Sequence, residues 1–239
     1  TLSNAAMEPE ISDLAECLVE MGAYLEGIGT NKLVIHGVEK LHGAEHAVIP
    51  DRIETGTFMI AAALTGGDVT LTNTRANTLD SITALLRQAG VDVSIIGDKI
   101  RVKRQDDLKS LRGIDIMTEP YPGFPTDMQA QIMTMLTLSD GAGLVTETIF
   151  ENRFMHVPEL VRMGANITVQ GNSAIVRGVE ELHGAQVMAT DLRASVALVI
   201  AGLCAEGETT VNRIYHLERG YEDISGKLSA VGADIRREL

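Results

Sequence analysis

An internal repeat is the feature that most constrains this fold. Three aspartates, each followed 16 residues later by a glycine, mark its copies: Asp51 and Gly67, Asp127 and Gly143, Asp191 and Gly207. A second glycine ends each copy, at Gly90, Gly164 and Gly232. A period of roughly 70 residues indicates one supersecondary unit used several times. A unit this long can bury some core of its own, which favours a packed domain over an open solenoid.

The hydrophobic pattern predicts the same elements in each copy. The opening helix is apolar nearly all round and therefore belongs in an interior; we predict it at Glu54–Leu64, Met128–Leu138 and Arg193–Ala205. A strand, an amphipathic helix that ends at the second glycine, and two alternating strands around a turn follow. The turn signals are Gly97–Asp98, Gly171–Asn172 and, in a partial copy whose helix ends at Gly22, Thr30–Asn31. The pattern predicts an α+β fold with core helices inside and sheets outside.

The partial copy suggests how the chain divides. The sequence opens in a strand pattern without Met, and its first copy has only the back half of the unit. We interpret the chain as a C-terminal piece of a longer protein. Residues 1–50 are then expected to finish one domain, and residues 51–239 to form a second domain with three units.

Composition limits the possible partners. The net charge of −13 and an aromatic content of 3% argue against nucleic acid, because neither a basic stripe nor a stacking platform is present. No apolar run approaches the roughly 20 residues that a bilayer requires, and no signal peptide is evident. Cys17 and Cys204 lie in apolar helical patterns and are expected to be reduced. We therefore expect a cytoplasmic protein.

Each of the three aspartates stands at the start of a predicted core helix, where N-capping is the simplest role. Asp127 is the one we expect to be different. It follows a stiff loop, residues 119–125, which contains three of the six prolines, and Thr126 could take the capping role. A carboxylate left free at the positive end of a helix could accept a proton from a substrate hydroxyl.

Three arginines occupy related positions in the repeat. Arg153 and Arg219 lie in equivalent strand-to-helix connections, and Arg193 stands at the start of the third core helix. On a symmetric scaffold they could converge on one face, where guanidinium groups suit phosphate or carboxylate. The alternative is solvated arginines paired with neighbouring acids, namely Glu151, Glu218 or Glu222.

The sequence gives little support for a metal or nucleotide site. His42 and His46 are four residues apart but follow a predicted hairpin, so they do not share a helix face. His156, His183 and His216 have no partners at ligand spacing. Gly141 and Gly143 precede a strand, whereas a dinucleotide fingerprint follows one. We predict no metal site and no cofactor.

Several longer motifs resemble a known family. They are P-D-R-I-E-T-G-T-F at Pro50–Phe58, F-P-T-D-M-Q-A-Q at Phe124–Gln131, T-E-T-I-F-E-N-R-F-M-H-V-P-E-L at Thr146–Leu160, A-T-D-L-R-A-S at Ala189–Ser195 and R-I-Y-H-L-E-R-G-Y-E at Arg213–Glu222. In this order they resemble the UDP-N-acetylglucosamine 1-carboxyvinyltransferase family, the enolpyruvyl transferases of peptidoglycan synthesis and hence of bacterial cell-wall formation. The resemblance covers the whole chain.

The resemblance implies a fold and an activity. Its members have two similar domains, each an inside-out α/β barrel of three repeats, with the active site in the cleft between them. The implied reaction transfers the enolpyruvyl group of phosphoenolpyruvate to the 3-hydroxyl of UDP-N-acetylglucosamine and releases phosphate, without a cofactor.

The resemblance also implies roles for single residues. Asp127 corresponds to the base on the sugar hydroxyl, and Arg219 to a second catalytic residue. The positions implied to contact substrate are Thr126, Asp127, Ile149 through its backbone, Phe150, Arg153, Asp191, Arg193 and Arg219, with the arginines around phosphoenolpyruvate.

This chain departs from the family in its front half. The Lys-Asn pair and the mobile loop with a reactive cysteine are not present, and neither Cys17 nor Cys204 matches that loop. The chain is therefore expected to be inactive without the N-terminal half of the enzyme. Two alternatives stay open: an enolpyruvyl transferase of the shikimate pathway, and a non-catalytic anion-binding module built from the repeats.

Overall fold

A computed structural model describes residues 1–104 and 111–238 of the protein. The N-terminal segment forms β1 (Leu2–Ser3), α1 (Pro9–Glu20), β2 (Tyr24–Glu26) and β3 (Lys32–His36). These strands make an antiparallel sheet in the order β1-β3-β2. Residues 37–51 contain no helix or strand and lead into the first full unit.

The first full unit has the predicted order of helix, strand, helix, strand, strand. It consists of α2 (Arg52–Thr65), β4 (Asp68–Leu71), α3 (Asp80–Gln88), β5 (Asp92–Ile96) and β6 (Lys99–Lys103), with a 3₁₀ turn at Ala76–Thr78. Its sheet is antiparallel in the order β4-β6-β5. Gly97 in the β5–β6 turn has a φ of 61°, a conformation that costs glycine little.

The second unit repeats this order and adds a strand. Its elements are β7 (Ile116–Met117), a 3₁₀ turn (Thr126–Met128), α4 (Gln129–Thr137), β8 (Ala142–Thr146), α5 (Val157–Arg162), β9 (Asn166–Gln170) and β10 (Ser173–Arg177). The sheet order is β7-β8-β10-β9, with β7 parallel to β8. In β10, buried Ala174 and Val176 alternate with exposed Ile175 and Arg177, so one face of the sheet packs on the core.

The third unit departs from the predicted order. It contains β11 (Leu182–His183), β12 (Gln186–Met188), α6 (Leu192–Cys204), β13 (Ala205–Glu206), β14 (Thr210–Asn212), a 3₁₀ helix (Ile214–Arg219) and α7 (Ile224–Ala230). Its strands form two parallel pairs, β11 with β13 and β12 with β14. The repeat predicts a hairpin after α7, but residues 231–238 form no strand. They instead pack Ala233 and Ile235 against the core.

Three apolar helices occupy the centre of the molecule. Helices α2, α4 and α6 contact one another, and all nine residues of α4 are buried. The approach is close at Gly56 of α2, where an added Cβ would stand 2.9 Å from Met128 Cε. The sheets lie outside this bundle. The predicted α+β class with core helices inside is confirmed, and each predicted core helix agrees with the structure to within two residues at either end.

The glycines that end the amphipathic helices share one conformation. Gly22, Gly90, Gly164 and Gly232 have φ values of 98°, 95°, 100° and 102°, and each lies just beyond a helix. This is the left-handed C-cap that the sequence predicts. The glycines at the 16-residue spacing are not equivalent in this way, since Gly143 lies inside β8 and Gly207 has a φ of 88°.

The N-terminal segment contacts the second unit and the start of α2. The Arg52 guanidinium donates from Nε to Glu10 Oε1 at 2.8 Å and from Nη2 to Glu10 Oε2 at 3.3 Å. The Tyr121 amide donates to Glu8 Oε1 at 3.4 Å. The division at residue 50 into two domains stays a prediction. Among the described residues, none of the helices has both the length and the apolar character needed to cross a membrane.

Candidate active site

The three repeat aspartates have different environments. Asp51 accepts hydrogen bonds from the amides of Ile53 and Glu54, and Asp191 accepts from those of Arg193 and Ala194. Both therefore cap a core helix. Asp127 does not, since it lies within the 3₁₀ turn before α4 and makes no capping hydrogen bond. The expectation that Thr126 would cap in its place is wrong, because its hydroxyl is directed to another side chain.

Two arginines hold the Asp127 carboxylate, one on each oxygen. Arg153 Nη2 donates to Oδ1 at 2.7 Å, and Arg193 Nη2 donates to Oδ2 at 3.0 Å. The two arginine side chains are 16% and 14% exposed, whereas that of Asp127 is 39% exposed. The carboxylate thus faces solvent between two largely buried cations, and a ligand could reach all three groups from one side.

The electrostatics of this cluster favour the ionised carboxylate. Burial raises the pKa of Asp127, but the charges and hydrogen bonds of Arg193 and Arg153 together outweigh burial and bring the pKa below its ordinary 3.8. Burial lowers the pKa of Arg193, and the neighbouring Asp127 and Tyr221 more than reverse that effect. At neutral pH the cluster consequently holds two positive charges and one negative charge.

A buried polar layer connects the cluster to the core helices. Tyr221 is 2% exposed, its hydroxyl lies 2.9 Å from Thr57 Oγ1 of α2, and the residue interacts electrostatically with Arg193 at the start of α6. Gln131 of α4 donates to Thr57 Oγ1 at 3.2 Å and to the Asp127 carbonyl at 2.9 Å. Side chains from the N-terminal parts of all three core helices therefore meet beneath the cluster.

Glu147 is a buried carboxylate that the sequence reasoning missed. It lies directly after β8, is 4% exposed and accepts four hydrogen bonds. Its donors are Thr118 Oγ1 at 2.7 Å, Thr126 Oγ1 at 2.8 Å, the Ile149 amide at 2.9 Å and the Phe150 amide at 3.0 Å. The sequence signal that could have pointed to Glu147 is a polar residue directly after a predicted strand. The burial of Glu147, however, depends on contacts with residues far along the chain.

The side chain of Arg153 is fixed by more than its ion pair. Its Nη1 donates to Thr126 Oγ1 at 2.9 Å, and its guanidinium carbon lies 5.1 Å from the centre of the Phe150 ring. Such a distance is within the range of a cation–π contact. Arg153 therefore joins the loop after β8 to the turn that carries Asp127.

Ile149 and Phe150 lie at the open side of this cluster. They are 45% and 59% exposed. A depression of about 200 Å³ lies beside them, and its lining includes Arg52, Tyr121, Thr126, Asp127 and Ile149. A larger groove of about 950 Å³ lies along the third unit and residues 234–238, but Asp127, Arg153 and Arg193 do not line it.

Arg219 is not part of the cluster in this structure. It ends the 3₁₀ helix Ile214–Arg219 and is exposed. No hydrogen bond or ion pair joins its guanidinium to the described residues. The structure thus brings Arg153 and Arg193 together on one carboxylate and leaves Arg219 apart from them.

The other residues with reactive side chains are either buried with pKa values that keep them uncharged at neutral pH or exposed on the surface. His156 is 2% exposed, lies 3.2 Å from Met133 Sδ, and has its pKa lowered to about 4 by burial. Burial also raises the pKa of the Cys204 thiol to about 12. His183 does have possible partners, since the pairing of β11 with β13 brings its ligand atoms within 4.8 Å of those of Glu181 and Glu206. All three are exposed, a common arrangement without a metal ion.

The fold agrees with that of a known family. Residues 1–228 match the family model described as EPSP synthase (3-phosphoshikimate 1-carboxyvinyltransferase). The chain belongs to this family. The enolpyruvyl transferase NikO from Streptomyces tendae has a similar structure, with a TM-score of 0.88 over 98% of this chain and 55% of that protein, at 30% identity. An EPSP synthase from Acinetobacter baumannii, at a TM-score of 0.72 and 20% identity, shows the same fold over 94% of this chain and 55% of its own.

Relatives with higher sequence identity carry a more specific name. The UDP-N-acetylglucosamine 1-carboxyvinyltransferase of Granulibacter bethesdensis is 62% identical over 237 residues, which is 99% of this chain and 56% of that protein. The protein of the same name from Paramagnetospirillum magneticum is 61% identical over 236 residues, 99% of this chain and 54% of its own length. The chain thus spans about half the length of these relatives. The resemblance seen in the sequence motifs is confirmed.

Proposed function

We propose that this chain supplies one half of an enolpyruvyl transferase that acts on phosphoenolpyruvate and UDP-N-acetylglucosamine. Identities near 60% with relatives of that name favour this acceptor over shikimate 3-phosphate. The observation that carries the proposal is the Asp127 carboxylate, which is open to solvent and bound on each oxygen by an arginine. A base beside two cations suits a reaction between a hydroxyl and an anionic donor.

The proposed reaction is an addition followed by an elimination. The methylene carbon of phosphoenolpyruvate gains a proton, and the 3-hydroxyl oxygen of the sugar attacks C2 while Asp127 accepts the hydroxyl proton. The resulting tetrahedral adduct breaks its C2–O bond to phosphate and loses a proton from the new methyl group. The products are the enolpyruvyl ether and inorganic phosphate.

The arginines have two proposed tasks in succession. In the structure they occupy both oxygens of Asp127 and hold its pKa down, which makes it a weak base. The phosphate and carboxylate of phosphoenolpyruvate would draw Arg153 and Arg193 toward themselves, since guanidinium groups bind such oxygens in a bidentate manner. An oxygen of Asp127 is then free for the sugar hydroxyl, and its basicity rises as the cations turn away. Once they hold the phosphoenolpyruvate anion, the two cations also stabilise charge that develops during attack.

The remaining assignments rest on the resemblance to the family. Arg219 is proposed to approach the phosphoenolpyruvate group when the complete enzyme binds substrate. The Ile149 backbone, Phe150 and Thr126 are proposed to border the UDP-sugar beside the depression, and Asp191 to line the same cleft. The N-terminal half of the enzyme is the proposed partner of this chain, and the reaction is proposed to occur in the cytoplasm without a cofactor.

Phosphate release tests the proposal directly. The full-length protein that carries this chain is incubated with phosphoenolpyruvate and either UDP-N-acetylglucosamine or shikimate 3-phosphate. Release with the sugar nucleotide alone is the expected result. Release only with shikimate 3-phosphate would favour the other enolpyruvyl transferase, and binding of phosphoenolpyruvate without release in either mixture would favour a non-catalytic anion-binding module.

A further inference from the structure

The arrangement of donors around Glu147 is unequal between its two oxygens. Oε1 accepts from Thr118 Oγ1 and from the amides of Ile149 and Phe150, whereas Oε2 accepts only from Thr126 Oγ1. No salt bridge of this carboxylate is found within the described residues, so neutral donors alone hold its charge. A buried carboxylate without a cation is costly unless hydrogen bonds stabilise it. These four bonds therefore tie β8, the loop after it and the turn before α4 to one point.

The Thr126 hydroxyl transmits this constraint to Arg153. A hydroxyl has one proton and two acceptor lone pairs. Because Thr126 gives its proton to Glu147 Oε2 at 2.8 Å, its lone pairs are left for Arg153 Nη1, which lies 2.9 Å away. The second nitrogen of the same guanidinium, Nη2, donates to Asp127 Oδ1 at 2.7 Å. The direction of the Thr126 proton thus helps to set the plane of Arg153.

Glu147 also holds the residue whose ring contacts the Arg153 guanidinium, Phe150. The Phe150 ring lies against the guanidinium at 5.1 Å, and the Phe150 amide donates to Glu147 Oε1 at 3.0 Å. Glu147 consequently bonds directly to two of the three residues that surround this guanidinium, Thr126 and Phe150, and makes no hydrogen bond to the third, Asp127.

We propose that Glu147 is a positioning residue that directs Arg153 toward the reacting groups through the hydroxyl of Thr126. This role rests on the proposed function. Small errors in the placement of such groups cost rate out of proportion to their effect on folding. Gln at position 147 keeps the size of the side chain, but its amide nitrogen cannot accept the Thr126 proton. Thr126 would then face two donors, its proton would have no acceptor at residue 147, and the orientation of its lone pairs toward Arg153 would no longer be fixed.

A double-mutant cycle on phosphate release by the full-length protein tests this role. Glu147→Gln is expected to lower kcat by about 10- to 100-fold in the wild-type background. In an Arg153→Lys background, where the guanidinium is already gone, Glu147→Gln is expected to lower kcat by less than about threefold. Equal losses in the two backgrounds, or no loss in the first, would overturn the role. Thermal unfolding of each variant is recorded alongside kcat.

Thr126 gives a second way to test the same link if Glu147→Gln does not fold. Thr126→Val removes the hydroxyl and should lower kcat, while Thr126→Ser keeps it and should restore most of the rate. Thr137→Val is the control, since Thr137 is fully buried at the far end of α4, more so than Thr126, and its hydroxyl donates to the Thr134 carbonyl. It should lower Tm without lowering kcat.

The outcomes separate the two proposals. If the wild type releases phosphate and the Thr126→Ser and Thr126→Val variants have equal rates, the role of Glu147 is overturned and the proposed function stays intact. A wild type that releases no phosphate would remove the proposed function, and the positioning role with it.

Discussion

Substitution of Asp127 by Asn separates a catalytic role from a structural one. Asn is nearly isosteric with Asp and keeps one oxygen that can accept from Arg153 or Arg193, but it cannot take a proton from a hydroxyl at neutral pH. If Asp127 is the base, turnover by the full-length enzyme should fall by about 10²- to 10⁴-fold. This loss corresponds to roughly 3–5 kcal/mol of transition-state stabilisation.

The structure indicates a much smaller effect on stability. The Asp127 side chain is 39% exposed, so solvent screens its two ion pairs. Exposed or partly exposed pairs contribute about 0–1 kcal/mol each. For a protein of this size, a change of about 1 kcal/mol moves Tm by roughly 2–4 °C. We therefore expect Asp127→Asn to lower Tm by only a few degrees while turnover nearly disappears.

The small contribution of the Asp127 ion pairs to folding stability should decrease at acid pH. Because the pKa of Asp127 is lowered in the folded state, its contribution is present above the ordinary value of 3.8 and is lost as the pH falls through the lowered value. Wild type and Asp127→Asn should therefore differ in Tm at neutral pH. The difference should shrink below pH 3.8.

Asp51→Asn is the control for this experiment. Asp51 caps α2 through the amides of Ile53 and Glu54, and Asn caps a helix about as well as Asp does. This variant should keep both Tm and turnover close to those of wild type. If Asp127→Asn turns over within about fivefold of wild type, Asp127 is not the base and the proposed mechanism is wrong.

Three further outcomes follow from buried or paired groups. Hydrogen bonds that His46 donates to the carboxylates of Asp13 and Glu20 raise the pKa of His46, so His46→Gln should lower Tm most at or below about pH 6 and progressively less as the pH rises through that raised pKa. With a pKa of about 12, the Cys204 thiol should react far more slowly with a thiol reagent at pH 8 in the folded than in the urea-unfolded protein. Tyr221→Phe removes the buried hydroxyl that bonds to Thr57 of α2 and should cost about 1 kcal/mol, or roughly 2–4 °C in a melting curve.

Local physics made much of the fold predictable from sequence. The core helices carry apolar residues on every side, a pattern that only an interior accommodates. Gly90, Gly164 and Gly232 were predictable as helix ends because glycine adopts a positive φ at little cost, and the structure gives all three φ values near 100°. The separate behaviour of Asp127 among the three repeat aspartates was also predicted, from the proline-rich loop that precedes it.

The features that the sequence did not predict depend on contacts between residues far apart in the chain. Glu147 and Tyr221 look like surface residues in the sequence, and their burial is set by partners such as Thr118, 29 residues away, and Thr57, 164 residues away. Thr126 was expected to cap because its type favours caps, but Glu147 offers its hydroxyl a charged acceptor instead. The parallel pairs of the third unit likewise followed from no local turn signal.

The meeting of α2, α4 and α6 beneath Asp127 has an electrostatic consequence of its own. A helix carries about half a positive charge at its N-terminal end. The N-terminal parts of α2, α4 and α6 lie close together here, so their partial positive charges repel one another. Asp51 and Asp191 each offset one of them. These helix ends, with the guanidinium groups of Arg153 and Arg193, bring positive charge together at one point of a chain whose net charge is −13. A bound dianion would relax that repulsion, so the fold itself should gain stability from the ligand that its central helices attract.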